Sequence, residues 1–221
     1  MLMISEYTTE NYLKTIVKAL AEPGKDRIGT GELARLLGVT PGTATVMVKK
    51  LEREGYLEYE SHQGCALTEA GRVYGLRILR RHRLLESFLA QTLGLDWSDV
   101  HEEAENLEHA VSDHLIDIID AYLSHPSRDP HGALIPAKAQ KEYTLSDIQL
   151  SSCLEGAKVR IVRIDRNKSS LAYCQSEGLL PEVELSIIKK NIDSGLVTFS
   201  LPDREASFAL SALEGVYVEI L

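Results

Sequence analysis

Apolar side chains in residues 8–21, TTENYLKTIVKALA, fall at Tyr12, Leu13, Ile16, Val17 and Leu20, the i, i+3, i+4 spacing of one helical face. Thr8 or Thr9 is the expected cap, with Glu10 nearby, and Pro23-Gly24 the stop. A second helix is predicted from about Gly31 to Leu37, with Leu33, Leu36 and Leu37 inward and Gly38 ending it. Thr40-Pro41 then caps a third helix, running through GTATVMVKKLEREG and stopping at Gly55. Two short helices joined by a tight, glycine-containing turn are the helix-turn-helix pattern. After Gly55 the stretch YLEYESHQGCALT alternates apolar and polar positions around His62-Gln63-Gly64, which predicts the hairpin of a wing.

The helical period returns at Thr68-Glu69-Ala70 and continues through Arg72, Leu76, Ile78 and Leu79 to Leu93; a second amphipathic helix is predicted from about Asp99 to Leu123. Leu-rich sides larger than one winged domain can cover make this pair the expected surface of a homodimer. The loop SHPSRDPHGALIP follows, and residues 137–157 are polar without clear period. From Val159 onward the chain reads as short β runs, VRIVRI, VELSII, LVTFSL and VYVEI, with turns at Asn191 to Gly195 and Pro202-Asp203. The expected fold is mainly α with β. Residues 1–74 form a winged helix-turn-helix DNA-binding domain, 75–140 a helical metal-binding and dimerisation domain, 141–157 a linker and 158–221 a small β-barrel.

The formal net charge of −9 looks adverse for a DNA-binding protein, but its distribution changes that reading. Residues 1–83 carry 13 Lys and Arg against 10 Asp and Glu, whereas residues 84–126 carry no Lys or Arg and 10 Asp and Glu. A block of this kind is either a solvated helical face or a place where a metal ion supplies the missing charge. Cys65, Cys153 and Cys174 are odd in number and far apart, so neither a disulfide framework nor a Cys-x-x-Cys knuckle is expected. No apolar run approaches the roughly 20 residues of a membrane span, and Met1 to Glu10 lacks a secretory layout; a cytoplasmic protein is expected.

Two sets of residues carry chemistry. The start of the third helix offers Thr40, Gly42, Thr43 and Thr45 to base edges, with Lys49, Lys50 and Arg53 placed for phosphates of double-stranded operator DNA. With no Arg, Asn or Gln at its tip, reliance on DNA shape is expected. The other set obeys helix spacing: His101, Glu105, Glu108 and His109 form one stripe of the predicted second long helix, and His82 and Glu86 stand one turn apart on the first. Carboxylates on a face bound for the core are costly to bury without a cation, so a metal site is one reading and an exposed acidic face the other. Oxygen and imidazole donors without thiolate suit Mn²⁺ and Fe²⁺; Co²⁺, Ni²⁺ and Zn²⁺ should bind at least as tightly in vitro. His114, His125 and His131 lie off the stripe and are not expected to be ligands.

TTENYLKTI at 8–16, KKLEREGYL at 49–57, LTEAGR at 67–72, RRHRLLESFL at 80–89, VHEEAENLEHAVSD at 100–113 and DPHGALIP at 129–136 resemble the diphtheria toxin repressor family of iron- and manganese-dependent repressors over essentially the whole chain. The resemblance implies an SH3-like (FeoA-type) C-terminal domain and two metal sites. His82, Glu86 and His101 belong to one; Glu105, Glu108 and His109 belong to the other, completed by the first-helix residue Asn11. Glu105 stands where iron-type members carry Cys, which resembles the manganese-type branch. Asn11 replaces Met or Asp, Lys14 replaces an acidic residue of some manganese members, and the C-terminal ligands of some members fall near Asn167 and Ser170. The implied mechanism is a population shift: metal draws the first helix to the acidic stripe and fixes two recognition helices about one DNA turn apart. A winged-helix regulator sensing a small organic ligand would share residues 1–75 without needing the stripe. A metal-dependent hydrolase would use the same donors, but no accompanying acid or nucleophile pattern is present, and no enzyme is expected.

Overall fold

The computed structural model describes every residue except Met1, Pro23, Arg166 and Asn167, with the side chains of residues 2–5 and 168–170 also outside the description. Asn167 and Ser170, implied as C-terminal ligands, therefore lie outside the described residues or side chains. The chain divides into two compact units, one of residues 1–82, 106–116 and 136–146, the other of residues 83–105, 117–135 and 147–221.

The first unit begins with α1 (Leu2–Ala19), which starts well before Thr8 and Thr9. Those threonines are interior helix residues rather than the expected caps, because the helical period extends N-terminally through Glu6 and Tyr7. The short α2 (Thr30–Leu36) and α3 (Pro41–Arg53) follow. Pro41 at the first helical position and Thr40, whose hydroxyl accepts from the Thr43 N–H at 3.2 Å, start α3 as the sequence predicts. β1 (Leu57–Glu60) and β2 (Gly64–Leu67) pair antiparallel as the wing, and Ile28 bridges to Cys65 on its far edge. Gly64 permits that approach: its φ is +91°, and a Cβ there would lie 2.2 Å from the Ile28 carbonyl oxygen. The core gathers Leu13, Ile16, Val17, Leu33, Val48, Leu51, Leu57 and Leu79. Gly71 and Gly75 near the start of α4 (Glu69–Gln91) let that helix approach its neighbours closely.

The predicted single helix from Asp99 to Leu123 is two helices, α5 (Val100–Leu107) and α6 (Asp113–Tyr122). Ser112 is the reason, since its hydroxyl accepts from the Leu115 N–H at 3.2 Å and opens a new first turn. Glu108 and His109 consequently lie in a turn, past the end of α5.

In the second unit, six antiparallel strands run in the order β3-β8-β4-β5-β6-β7: β3 (Ile148–Gln149), β4 (Lys158–Ile164), β5 (Glu184–Asn191), β6 (Leu196–Ser200), β7 (Glu205–Ala209) and β8 (Val216–Ile220). The helix α7 (Lys168–Ser176) follows β4. Val159, Ile161, Leu179, Leu185, Phe199 and Val218 fill the sheet core, and Trp97 packs against it. β3, β7 and α7 were not predicted. The two residues of β3 are too few to show alternation, and EASFA in β7 places one large apolar residue among Glu, Ser and two Ala. Tyr143, Leu145 and Leu150 are buried, so the stretch that reads as polar is tied down. Among the described residues no helix is long and apolar enough to cross a membrane.

Candidate metal centre

In the first unit, α1 presents Glu10, Asn11 and Lys14 along one side, as their spacing dictates. They meet His82 of α4 and the turn residues Glu108 and His109. Glu108 is wholly buried, and Glu10, Lys14 and His82 are nearly so. Glu108 Oε1 accepts from Lys14 Nζ at 2.6 Å, and Glu108 Oε2 lies 2.7 Å from His82 Nδ1. The His109 ring is held on both sides. Its Nδ1 is 2.5 Å from Glu10 Oε2, while Nε2 is 3.0 Å from Asn11 Oδ1 and 3.1 Å from Glu108 Oε1. Tyr74 donates to Glu10 at 3.2 Å, and Arg81 lies 3.9 Å from the same carboxylate.

Both His109 nitrogens face oxygen acceptors, so both must carry protons when no other cation is present. Burial pulls the His109 pKa down, but hydrogen bonds to Glu10 and Glu108 overcome it and lift it from 6.5 to about 9. Burial likewise opposes ionisation of Glu108, yet the His109 and His82 hydrogen bonds and the charges of His82 and Lys14 hold it far below the ordinary carboxylate range. The Nε2 proton thus sits among an imidazole nitrogen, an amide oxygen and a carboxylate oxygen, the donor set of a hard to borderline divalent ion. A carboxylate on the opposite nitrogen, here Glu10 on Nδ1, is the usual means of fixing a ligating imidazole's tautomer and orientation. The residues fit a metal ion.

In the second unit the buried Glu86 of α4 has Oε1 2.9 Å from His101 Nδ1, and His101 Nε2 is 3.9 Å from Glu105 on α5. The structure also brings His131 there, with its Nδ1 3.7 Å from Glu86, and buries Asp129 nearby with Arg83 at 3.5 Å. One ligand atom each from Glu86, Asp129 and His131 lies within 4.8 Å of the others. His131 Nε2 donates to the Trp97 carbonyl at 2.9 Å, and its Nδ1 faces Glu86. Burial, then the charge of Glu86, push the Asp129 pKa up to about 6, against the pull of Arg83 and His131. Spacing sets His131 aside because it lies on no helix; the DPHG loop carries it in. That loop packs tightly, since a Cβ on Gly132, at φ +85°, would lie 2.0 Å from the Val162 carbonyl oxygen. Helix spacing does hold the signal for Glu10, adjacent to Asn11 and one turn before Lys14. His114 and His125 are exposed, away from either cluster.

The exposed residues of α3 include Gly42, Thr43, Val46, Lys49 and Arg53. The Thr45 hydroxyl is committed to the Pro41 carbonyl at 2.8 Å, and the Thr40 hydroxyl to capping. Lys50 is half-buried, 3.6 Å from Glu54. Val46, 69% exposed and one turn beyond Gly42 and Thr43, is the residue sequence reasoning passed over, because an apolar side chain in a helix is read as inward. A cleft of about 400 Å³ separates α1 from α3, lined by Thr8 and Tyr12 on one side and Gly42, Thr43, Val46, Met47 and Lys50 on the other.

Two family models match the chain: the N-terminal DNA-binding domain of the iron-dependent repressors over residues 3–65, and their metal-binding and dimerisation domain over residues 68–137. An HTH-type regulator of Methanocaldococcus jannaschii, itself uncharacterized, is 40% identical over 114 residues, 52% of this chain and 90% of its own length. The HTH-type transcriptional regulator MntR of Lysinibacillus sphaericus is 34% identical over 121 residues, 53% of this chain and 85% of its own. Among solved structures, a manganese-dependent transcriptional repressor in complex with manganese superposes with a TM-score of 0.89 at 35% identity, covering 96% of this chain and all of that one. ScaR with bound Zn²⁺ gives 0.82 at 32% identity, covering 96% and 99%.

Proposed function

Because the chain belongs to the diphtheria toxin repressor family of metal-dependent transcriptional repressors, on its manganese branch, we propose that Mn²⁺ or Fe²⁺ activates it for operator binding in metal-ion homeostasis. Co²⁺, Ni²⁺ and Zn²⁺ substitute in vitro, since an oxygen and imidazole site does not reject them by affinity. In the first unit Asn11, Glu108 and His109 are the ligands; in the second Glu86 and His101 are, with Asp129 and His131 as further donors beside Glu86. A bound ion supplies positive charge where buried carboxylates otherwise depend on protons. Glu10 orients His109, and Asn11 brings α1 to it.

The observation that carries this reading is the double attachment of α1. One side of the helix bears Glu10, Asn11 and Lys14 against Glu108 and His109, while Thr8 and Tyr12 face the recognition helix α3 across the cleft. Whatever fixes α1 at His109 therefore bears on where α3 stands, a population shift between looser and ordered arrangements. Gly42, Thr43, Val46, Lys49 and Arg53 then address the major groove and its phosphates. A second copy of the chain docks through the apolar face of α6, where Leu115, Ile118 and Tyr122 are exposed.

Operator gel shifts with and without Mn²⁺ test the proposal. His109→Ala should abolish the metal-dependent shift while circular dichroism and the oligomeric state stay unchanged; an unaltered Mn²⁺ response would overturn the assignment. DNA binding that persists in the wild-type chain after exhaustive chelation would favour a regulator sensing an organic ligand instead.

A further inference from the structure

Lys14 sits inside the Glu108 cluster, not at its rim. Its side chain is 6% exposed, and its ammonium is held at 2.6 Å by a carboxylate with no exposure at all. A buried ammonium is tolerated only with such a partner. Each carboxylate oxygen offers two lone pairs. On Glu108, Oε1 faces Lys14 on one side and the His109 and Asn11 pair on the other, while Oε2 is taken by His82.

We propose that Lys14 is a tethered cation standing where a second divalent ion would share Glu108, so that the cluster of Asn11, Glu108 and His109 takes a single ion. The inference rests on the metal reading above and deepens it. Charge leads to the same limit. The carboxylates of Glu10, Glu108 and Asp113 face Lys14, Arg81 and Arg77, with Arg81 bound to Asp113 at 2.7 Å and Arg77 at 3.6 Å from it. These fixed charges balance before any ion binds. Each divalent ion therefore adds two uncompensated positive charges, and a second would raise the excess from two to four in a largely buried space, a cost of the kind that drives ions out of protein interiors. Removing the ammonium only relieves repulsion of the first ion, whereas replacing it with a carboxylate supplies both the ligand and the charge for a second.

The test uses the full chain carrying Glu86→Gln and His101→Ala, which confines binding to this cluster, titrated with Mn²⁺ and followed by metal counting and electron paramagnetic resonance. With Lys14 present, one Mn²⁺ per chain and the resolved six-line spectrum of an isolated ion are expected. Lys14→Glu should raise the count to two, with the spectrum broadened by coupling between neighbouring ions. Lys14→Met should keep the count at one and tighten binding roughly tenfold. Two coupled ions with Lys14 in place would overturn the inference. So would a count of one in Lys14→Glu together with unchanged affinity in Lys14→Met, and so would no binding at all in this background. Failure of the metal reading itself is distinct: the otherwise native chain would then bind no Mn²⁺.

Discussion

Gly75→Ala perturbs the joint between α1 and α4 without touching a ligand. A Cβ built on Gly75 lies 2.6 Å from Val17 Cγ2 and 2.7 Å from the Leu13 carbonyl oxygen. The carbonyl is main chain and cannot rotate aside, so α1 must retreat from α4 as a body. Overpacking of this order costs about 1 to 3 kcal/mol. Replacing an interior helical glycine by alanine returns up to about 1 kcal/mol. With two contacts below 3.0 Å, a net loss of about 1 to 2 kcal/mol is expected, equivalent to a Tm lower by roughly 2 to 8 °C for a chain of this size. Asn11 precedes Leu13 by two residues on the same helix, so the displacement also draws its Oδ1 away from His109, and Mn²⁺ affinity should fall about tenfold or more. Thermal unfolding of the metal-free chain, with calorimetric Mn²⁺ titration in parallel, reads both effects. Gly31→Ala, on the exposed side of α2 where a Cβ meets nothing within 4 Å, is the control expected to lower neither. Unchanged stability and unchanged Mn²⁺ affinity in Gly75→Ala would refute the claim that this joint positions α1.

Three further outcomes follow from the same geometry. His109 is raised from 6.5 to about 9 in the folded metal-free chain, so the stability it contributes is complete below about pH 6.5 and is lost as pH rises through 9. Unfolding midpoints should therefore fall between pH 7 and 10, and His109→Gln should flatten that fall. Metal must displace the same proton, so Mn²⁺ affinity should rise about tenfold per pH unit between 7 and 9, where a pH-independent constant would contradict the assignment. Glu108→Gln removes the carboxylate that holds the buried Lys14 ammonium and should cost about 3 to 5 kcal/mol in denaturant melts; adding Lys14→Met should recover part of it, and additive losses would deny the pairing. Lys49→Ala should weaken operator and non-operator DNA alike and lower the slope of log affinity against log salt by about 1, whereas an effect confined to the operator would make Lys49 a base-reading residue.

Helical and strand periods by themselves determined the helix-turn-helix with Thr40 as its cap, the wing, the long α4 and most of the sheet, because each is a local pattern with its own stop signal. They also singled out His82, Glu86, His101, Glu105, Glu108 and His109 as candidate donors. The pattern could not show that the stripe breaks at Ser112, since a single hydroxyl cap outweighs a continuing period. Tertiary structure alone decided the rest. It paired Glu10 with His109, set Lys14 on Glu108 and carried His131 and Asp129 to Glu86, contacts separated by up to 99 residues. The physical reason is that burial and partner identity belong to the fold: a carboxylate on a helix face becomes a ligand, an orienting group or an ion-pair partner according to what long-range packing places opposite it.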